Sequence, residues 1–209
     1  MSEWIIMGDV VKSSDADQVT LQRNFTQLIK MVNESFKAEL ASPLTITLGD
    51  EFQGIVKSKE AIATIVFALE EYRWQLEIPI LIRYSVTLGE IATEINPVIA
   101  YGMLGSGLSE AREALIEMKS EEDRLVLNGD FPKKLQMALS LNLLLELQEQ
   151  WKWKDREIIK GYFEFKDYKK VAKDLDKDVS LMWRRFKSLD FTSYQKRRKL
   201  VNLIYGDRD

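Results

Sequence analysis

The chain reads as an α+β protein: an antiparallel sheet with helices on one face, followed by a small all-α helix-turn-helix domain. Three observations predict this. Segments of strand and helix character follow one another in the order β-α-β-β-α-β-α-β before residue 150. Ile80, Ile82, Tyr84, Val86 and Leu88 alternate with Arg83, Ser85 and Thr87, the pattern of a strand with one apolar and one wet face. Residues 151–209 carry 17 Lys and Arg against 10 Asp and Glu, a balance of +7 that leaves −10 for residues 1–150. That asymmetry divides the chain into a main unit, 1–140, and a helical unit, 141–209, with a linking helix from about 133. The second unit is suited to a polyanion.

Each element has its own warrant. "WIIMGDVV" is apolar on both faces, a buried-type strand interrupted by Gly8 and Asp9. "SSDADQ" offers caps for a helix whose stripe is Phe25, Leu28, Ile29, Val32 and Phe36, and which runs to about Leu40. Pro43 marks its break. "LTITL" and "FQGIV" are short β-rich runs around Gly49, Asp50 and Glu51, a tight hairpin. Ile62, Ile65, Val66, Leu69 and Leu76 stripe a second helix. After the alternating strand and a loop at Asn96 and Pro97 come a third helix ("SGLSEAREALIEMKS"), a strand ("DRLVLNG") and a fourth helix from Phe131 to Trp151.

Composition removes whole classes of chemistry. The chain has 209 residues, 45% hydrophobic and 30% charged, with neither Cys nor His. Disulfides, thiolate or imidazole metal sites, Cys nucleophiles and Ser-His-Asp catalysis are excluded, which leaves carboxylates, Lys, Arg, hydroxyls, backbone and bound metal. The N-terminal apolar run lacks a basic flank and is too short for a signal peptide, and no segment approaches a membrane span. A cytoplasmic protein without membrane contact is expected.

The element order is that of a ferredoxin-like sheet, in which the first strand and the later hairpin lie side by side. Asp9 is then close to Asp50, each preceded by a Gly, in an oxygen-only site that suits Mg²⁺ or Mn²⁺ carrying substrate phosphates. The competing reading of Asp50 and Glu51 is the polar tip of a hairpin. Lys12 and Ser13 can meet phosphate at the start of the first long helix, or can simply cap and solvate it. Arg112 is either a phosphate ligand or a surface ion-pair partner. "GMLGSG" matches neither a P-loop nor a dinucleotide fingerprint.

"MGDVVKSS", "LTITLGDEFQGIV", "IRYSVTLGEI" and "YGMLGSGLSEAREAL" together resemble the SatD family, over essentially the whole chain. The first three segments also resemble, more distantly, the palm-type catalytic core of class III nucleotidyl cyclases and their GGDEF relatives. That resemblance implies a metal site at Asp9 and Asp50 with the Val10 carbonyl as third ligand and Glu51 beside it. The candidate phosphate or nucleotide contacts are Lys12, Ser13, Gly49 and Arg112, and the cyclase resemblance implies a homodimer. The chain departs from the cyclase pattern. The positions of the ribose-orienting Asn and the charge-stabilising Arg are Ser109 and Glu113, with Arg112 displaced by one residue, about 100° on a helix. Leu48 replaces a GGDEF glycine.

"YKKVAKDLDKDVSLMWRRFKSL" has the spacing of a helix-turn-helix, with Val171 and Ala172 at the crossing and Asp178 or Ser180 capping the second helix. Asp176 stands where Gly is usual, in a left-handed position that Asp tolerates. Ser180, Trp183, Arg184, Arg185 and Lys187, with Lys196, Arg197 and Arg198, are the candidate DNA contacts. Trp and Arg on one helix also suit a protein interface. The expected function is that of a regulator whose main unit binds metal and a nucleotide or other phosphate ligand and whose helix-turn-helix binds DNA. The alternatives are a Mg²⁺- or Mn²⁺-dependent nucleotidyl transferase or cyclase, and a degenerate palm that serves as a dimerisation scaffold with a protein-binding helical unit.

Overall fold

The structure, a computed structural model, describes residues 2–206. Five strands form one sheet in the order β2-β3-β1-β4-β5: β1 Ser2–Val10, β2 Leu40–Ile46, β3 Glu51–Val56, β4 Ile82–Glu90 and β5 Leu125–Asn128. β1 lies between β3 and β4, antiparallel to both, and β2 is antiparallel to β3. The first four strands therefore have the expected order. β5 is parallel to β4, so the sheet is mixed rather than antiparallel.

Helices cover both faces, not one. α1 (Gln18–Ser35), α2 (Lys59–Tyr72) and α4 (Lys134–Glu149) bury their stripes on one face, against Ile6, Tyr84, Val86 and Leu125. α3 (Ser106–Glu117) crosses the other face between β4 and β5 and covers Ile5, Met7 and Ile55. Ser85 and Thr87, expected to be wet, are fully buried beneath it. Two glycines explain how α3 comes so close: a Cβ on Gly89 of β4 would stand 2.5 Å from the Cα of Gly107. Gly105 and Gly107 of "GMLGSG" thus serve close packing, whereas Gly102 holds a turn at φ 77° in open space.

Local signals set most boundaries. Asp17 caps α1 through the Thr20 N–H, and Ser58 caps α2 through the Ala61 N–H. α1 ends at Ser35 rather than near Leu40, where β2 already begins. Pro43 lies inside β2; an edge strand with register shifts tolerates the missing donor.

The C-terminal helices are α5 (Arg156–Phe165), α6 (Tyr168–Asp174), α7 (Val179–Ser188) and α8 (Phe191–Tyr205). Val171 and Ala172 of α6 pack on Met182 of α7, Asp176 takes the left-handed conformation at φ 50°, and Asp178 accepts the Leu181 N–H. A boundary at 140/141 falls inside α4. One apolar core continues from the sheet through Trp151, Tyr162, Phe191 and Tyr194. Among the described residues no helix is long and apolar enough to cross a membrane.

Candidate functional site

Period-two geometry places one polar row on the α3 face of the sheet. Asp9 of β1 is in register with Glu51 of β3 on one side and Arg83 of β4 on the other. Side chains opposite one another on a face are neighbours. The strand partner of Asp9 is therefore Glu51, while Asp50 lies one residue further round the turn, where its carbonyl accepts the Val10 N–H.

Asp9 is 3% exposed. Its two carboxylate oxygens accept from Arg83 Nε at 3.0 Å and Nη2 at 3.2 Å, a bidentate pair, and the Lys119 ammonium stands 3.5 Å from Oδ2. Asp50 goes to the other side of the sheet. Its carboxylate accepts the Ser13 hydroxyl and borders a 620 Å³ groove beside the start of α1, with Gln18, Leu48 and Gly49. Gly49 holds the turn at φ 78°, and Lys12 is exposed with φ 54°. The residues expected to hold one phosphate are thus divided: Lys12, Ser13 and Gly49 lie by α1, Arg112 by α3.

Arg112 lines a cleft between the β2–β3 hairpin and α3. One lobe, 370 Å³, has Met7, Leu48, Tyr101, Met103 and Ser109 in its walls. The other, 210 Å³, adds Glu51, Leu115, Ile116 and Lys119. Met7, Thr47, Leu48 and Arg112 line both, so the lobes are continuous. Glu113, at the aligned position of the cyclase arginine, is not among the lining residues of either lobe. Arg83 and Lys119 escaped the sequence reading. Lys119 had a signal, since it follows Arg112 by two helical turns and so shares its face. Arg83 had none, because its partner is 74 residues away.

A divalent metal on Asp9, the Val10 carbonyl and Asp50 does not fit this arrangement. Asp9 already pairs with Arg83 and Lys119, and the Asp50 carboxylate turns away from it to Ser13 and the opposite groove.

The candidate DNA contacts also divide. Ser180, Trp183, Arg184 and Lys187 are exposed on α7, with the Lys187 ammonium 5.8 Å from the Trp183 ring. Lys196 is exposed on α8. Arg185 instead pairs with Asp155, Arg197 donates to the Leu143 carbonyl, and Arg198 pairs with Glu71 and lies 4.6 Å over the Phe67 ring. Arg185 thus ties α7 to the start of α5, and Arg197 and Arg198 tie α8 to α4 and α2, which sequence spacing alone could not reveal.

The SatD family model matches residues 4–204. No curated protein matches the chain. Among solved structures the chain is similar to a bacterial light-regulated adenylyl cyclase, with 11% identity over 61% of this chain and 43% of that one, TM-score 0.45. It is also similar to the guanylyl cyclase Cya2, with 11% identity over 56% and 70% of the two chains, TM-score 0.42. A third is the catalytic core of a rhodopsin-guanylyl cyclase with converted specificity in complex with ATPalphaS, at 13% identity over 60% and 76%, TM-score 0.42. The chain spans less than half the length of the light-regulated cyclase.

Proposed function

The chain belongs to the SatD family, and we propose that it binds a nucleotide or a related phosphate-bearing ligand in the cleft between the β2–β3 hairpin and α3. One observation carries the reading: Arg112 and Lys119 converge on a cleft whose other lobe is walled by Leu48, Tyr101 and Met103. A phosphate is matched by the two cations, and a planar base by the aromatic and apolar wall. The Lys119 ammonium is held at one side by Asp9, 3.5 Å away, which is itself paired with Arg83. The combined lobes fall in the usual size range for small-ligand sites. In this reading the cations of the chain, not a metal, meet the phosphate.

Thermal unfolding with nucleoside triphosphates in EDTA tests this. A ligand at 100 times its Kd should raise Tm by roughly 5–10 °C for a chain of this size. The shift is expected to vanish in Arg112→Ala with Lys119→Ala and to persist in Asp50→Asn. A shift that needs Mg²⁺ or Mn²⁺ and disappears in Asp50→Asn would replace this reading with the metal-dependent one. Turnover of the nucleotide would make the cleft catalytic.

The regulator reading rests on a narrower base, the exposed row Ser180, Trp183, Arg184 and Lys187 of α7. Removing two phosphate contacts should reduce the slope of log K against log salt by about 2. Arg184→Glu with Lys187→Glu is therefore expected to weaken duplex binding and flatten its salt dependence, measured by fluorescence anisotropy. Unchanged binding would remove α7 as a DNA-reading helix.

A further inference from the structure

α4 and α8 lie side by side and antiparallel: Arg197 reaches the Leu143 carbonyl, and eight residues on, the Tyr205 hydroxyl donates to the Met137 carbonyl at 3.4 Å. Their inner faces are buried, Leu141, Leu144 and Leu145 on one helix and Tyr194, Val201 and Tyr205 on the other. Their outer faces are also leucine-rich. Leu135, Leu139 and Leu143 recur at four-residue spacing along α4, 76%, 57% and 36% exposed. Leu200 and Leu203, 44% and 63% exposed, lie on α8 between its two anchors on α4, Arg197 and Tyr205. Five exposed leucines on two adjacent helices are more apolar surface than monomers usually leave open in one place.

The flanks carry opposite charge. On the β5 side, Leu139 and Leu143 border a groove that also holds Glu122, Asp123 and Glu146, with Glu149 paired to Arg124 in its wall. On the α8 side, Lys196 and Lys199 are exposed. We propose that this face is the interface of a homodimer, with a second copy as its occupant. A two-fold axis parallel to the helices lays α4 of one copy along α8 of the other. Leucines then meet leucines, and each acidic flank meets the basic flank of the partner copy. Only one self-complementary patch is needed, as two-fold symmetry requires. The surface lies across the sheet from the Arg112 cleft, so the inference stands independently of ligand binding there.

Sedimentation equilibrium of the full chain tests it from low micromolar to near-millimolar concentration. The wild type is expected to reach twice the chain mass, and Leu139→Glu with Leu203→Glu to sediment as a folded monomer, its fold checked by circular dichroism. Glu146→Lys is expected to weaken dimerisation at least about tenfold, and Lys199→Glu in the same chain to recover most of that loss. A monomeric wild type overturns the proposal. So does a dimer that survives both leucine changes, including one that yields instead to Ile116→Glu on the cleft face. Charge changes that fail to compensate overturn the α4–α8 pairing.

Discussion

Glu70→Gln is expected to destabilise the protein by about 3–5 kcal/mol, because it leaves the buried Arg73 guanidinium without its counter-ion and Arg124 with Glu149 alone. Glu70 is wholly buried on α2. Its carboxylate accepts from Arg73 Nε at 2.9 Å, Arg124 Nη1 at 2.9 Å and the Tyr84 hydroxyl at 2.8 Å. Arg124 also reaches the Ile82 carbonyl and Glu149. One carboxylate therefore joins α2, β4, the entry to β5 and α4. Burial by itself disfavours the ionised form, but Arg124 and Arg73 together outweigh it, and the Glu70 pKa falls to about 2 from an ordinary 4.5. The sign follows: a carboxylate with a depressed folded pKa contributes stability that is complete above 4.5 and is lost as pH falls toward 2. Urea unfolding across that window should show the wild type losing stability steeply with acid and the Gln variant losing much less. A loss below about 1 kcal/mol at neutral pH would mean that the network is not the tie described.

The strand order β2-β3-β1-β4 was legible because each segment announced itself by period, cap or turn, and the βαββαβ order then admits few arrangements. The far side of the sheet was not. Ser85 and Thr87 are small polar side chains, and a strand carrying them looks the same whether water or a helix covers it. What decides is the approach of Gly89 to Gly107, a contact between segments that pattern reading treats separately. The site was half legible for the same reason. Asp9 and Asp50 stood out through their glycines, yet a one-residue difference in register sends their side chains to opposite faces. Arg83 and Lys119, which neutralise Asp9, come from distant segments. On the helical side, spacing predicts α6 and α7, whereas the basic run at 196–199 has the composition of a polyanion contact although Arg197 and Arg198 grip α4 and α2.

Trp151→Ala is expected to cost about 3–5 kcal/mol and, beyond that, to loosen the helical unit from the sheet unit. Trp151 follows α4, just ahead of α5, and is 5% exposed. Its ring lies 6.0 Å from Trp74, 6.0 Å from Phe163, 5.2 Å from Phe191 and 5.4 Å from Tyr194, and its indole N–H donates to the Leu189 carbonyl at 2.7 Å. Trp74 belongs to the sheet unit; the other rings belong to α5 and α8. Removal of this side chain opens a cavity between the units and leaves the Leu189 carbonyl without its donor, while Arg198–Glu71 and Arg197–Leu143 remain to hold α8. Hydrogen exchange should therefore quicken first in α5 to α7 and last in β1 and β4, rather than uniformly. Uniform quickening would show a single cooperative unit, in which a ligand in the Arg112 cleft and a partner at α7 act on the same global equilibrium. Selective quickening would show two units joined by a separable hinge. Only then can a ligand bias the position of α7 without altering its fold, by binding one arrangement of that hinge more tightly than another.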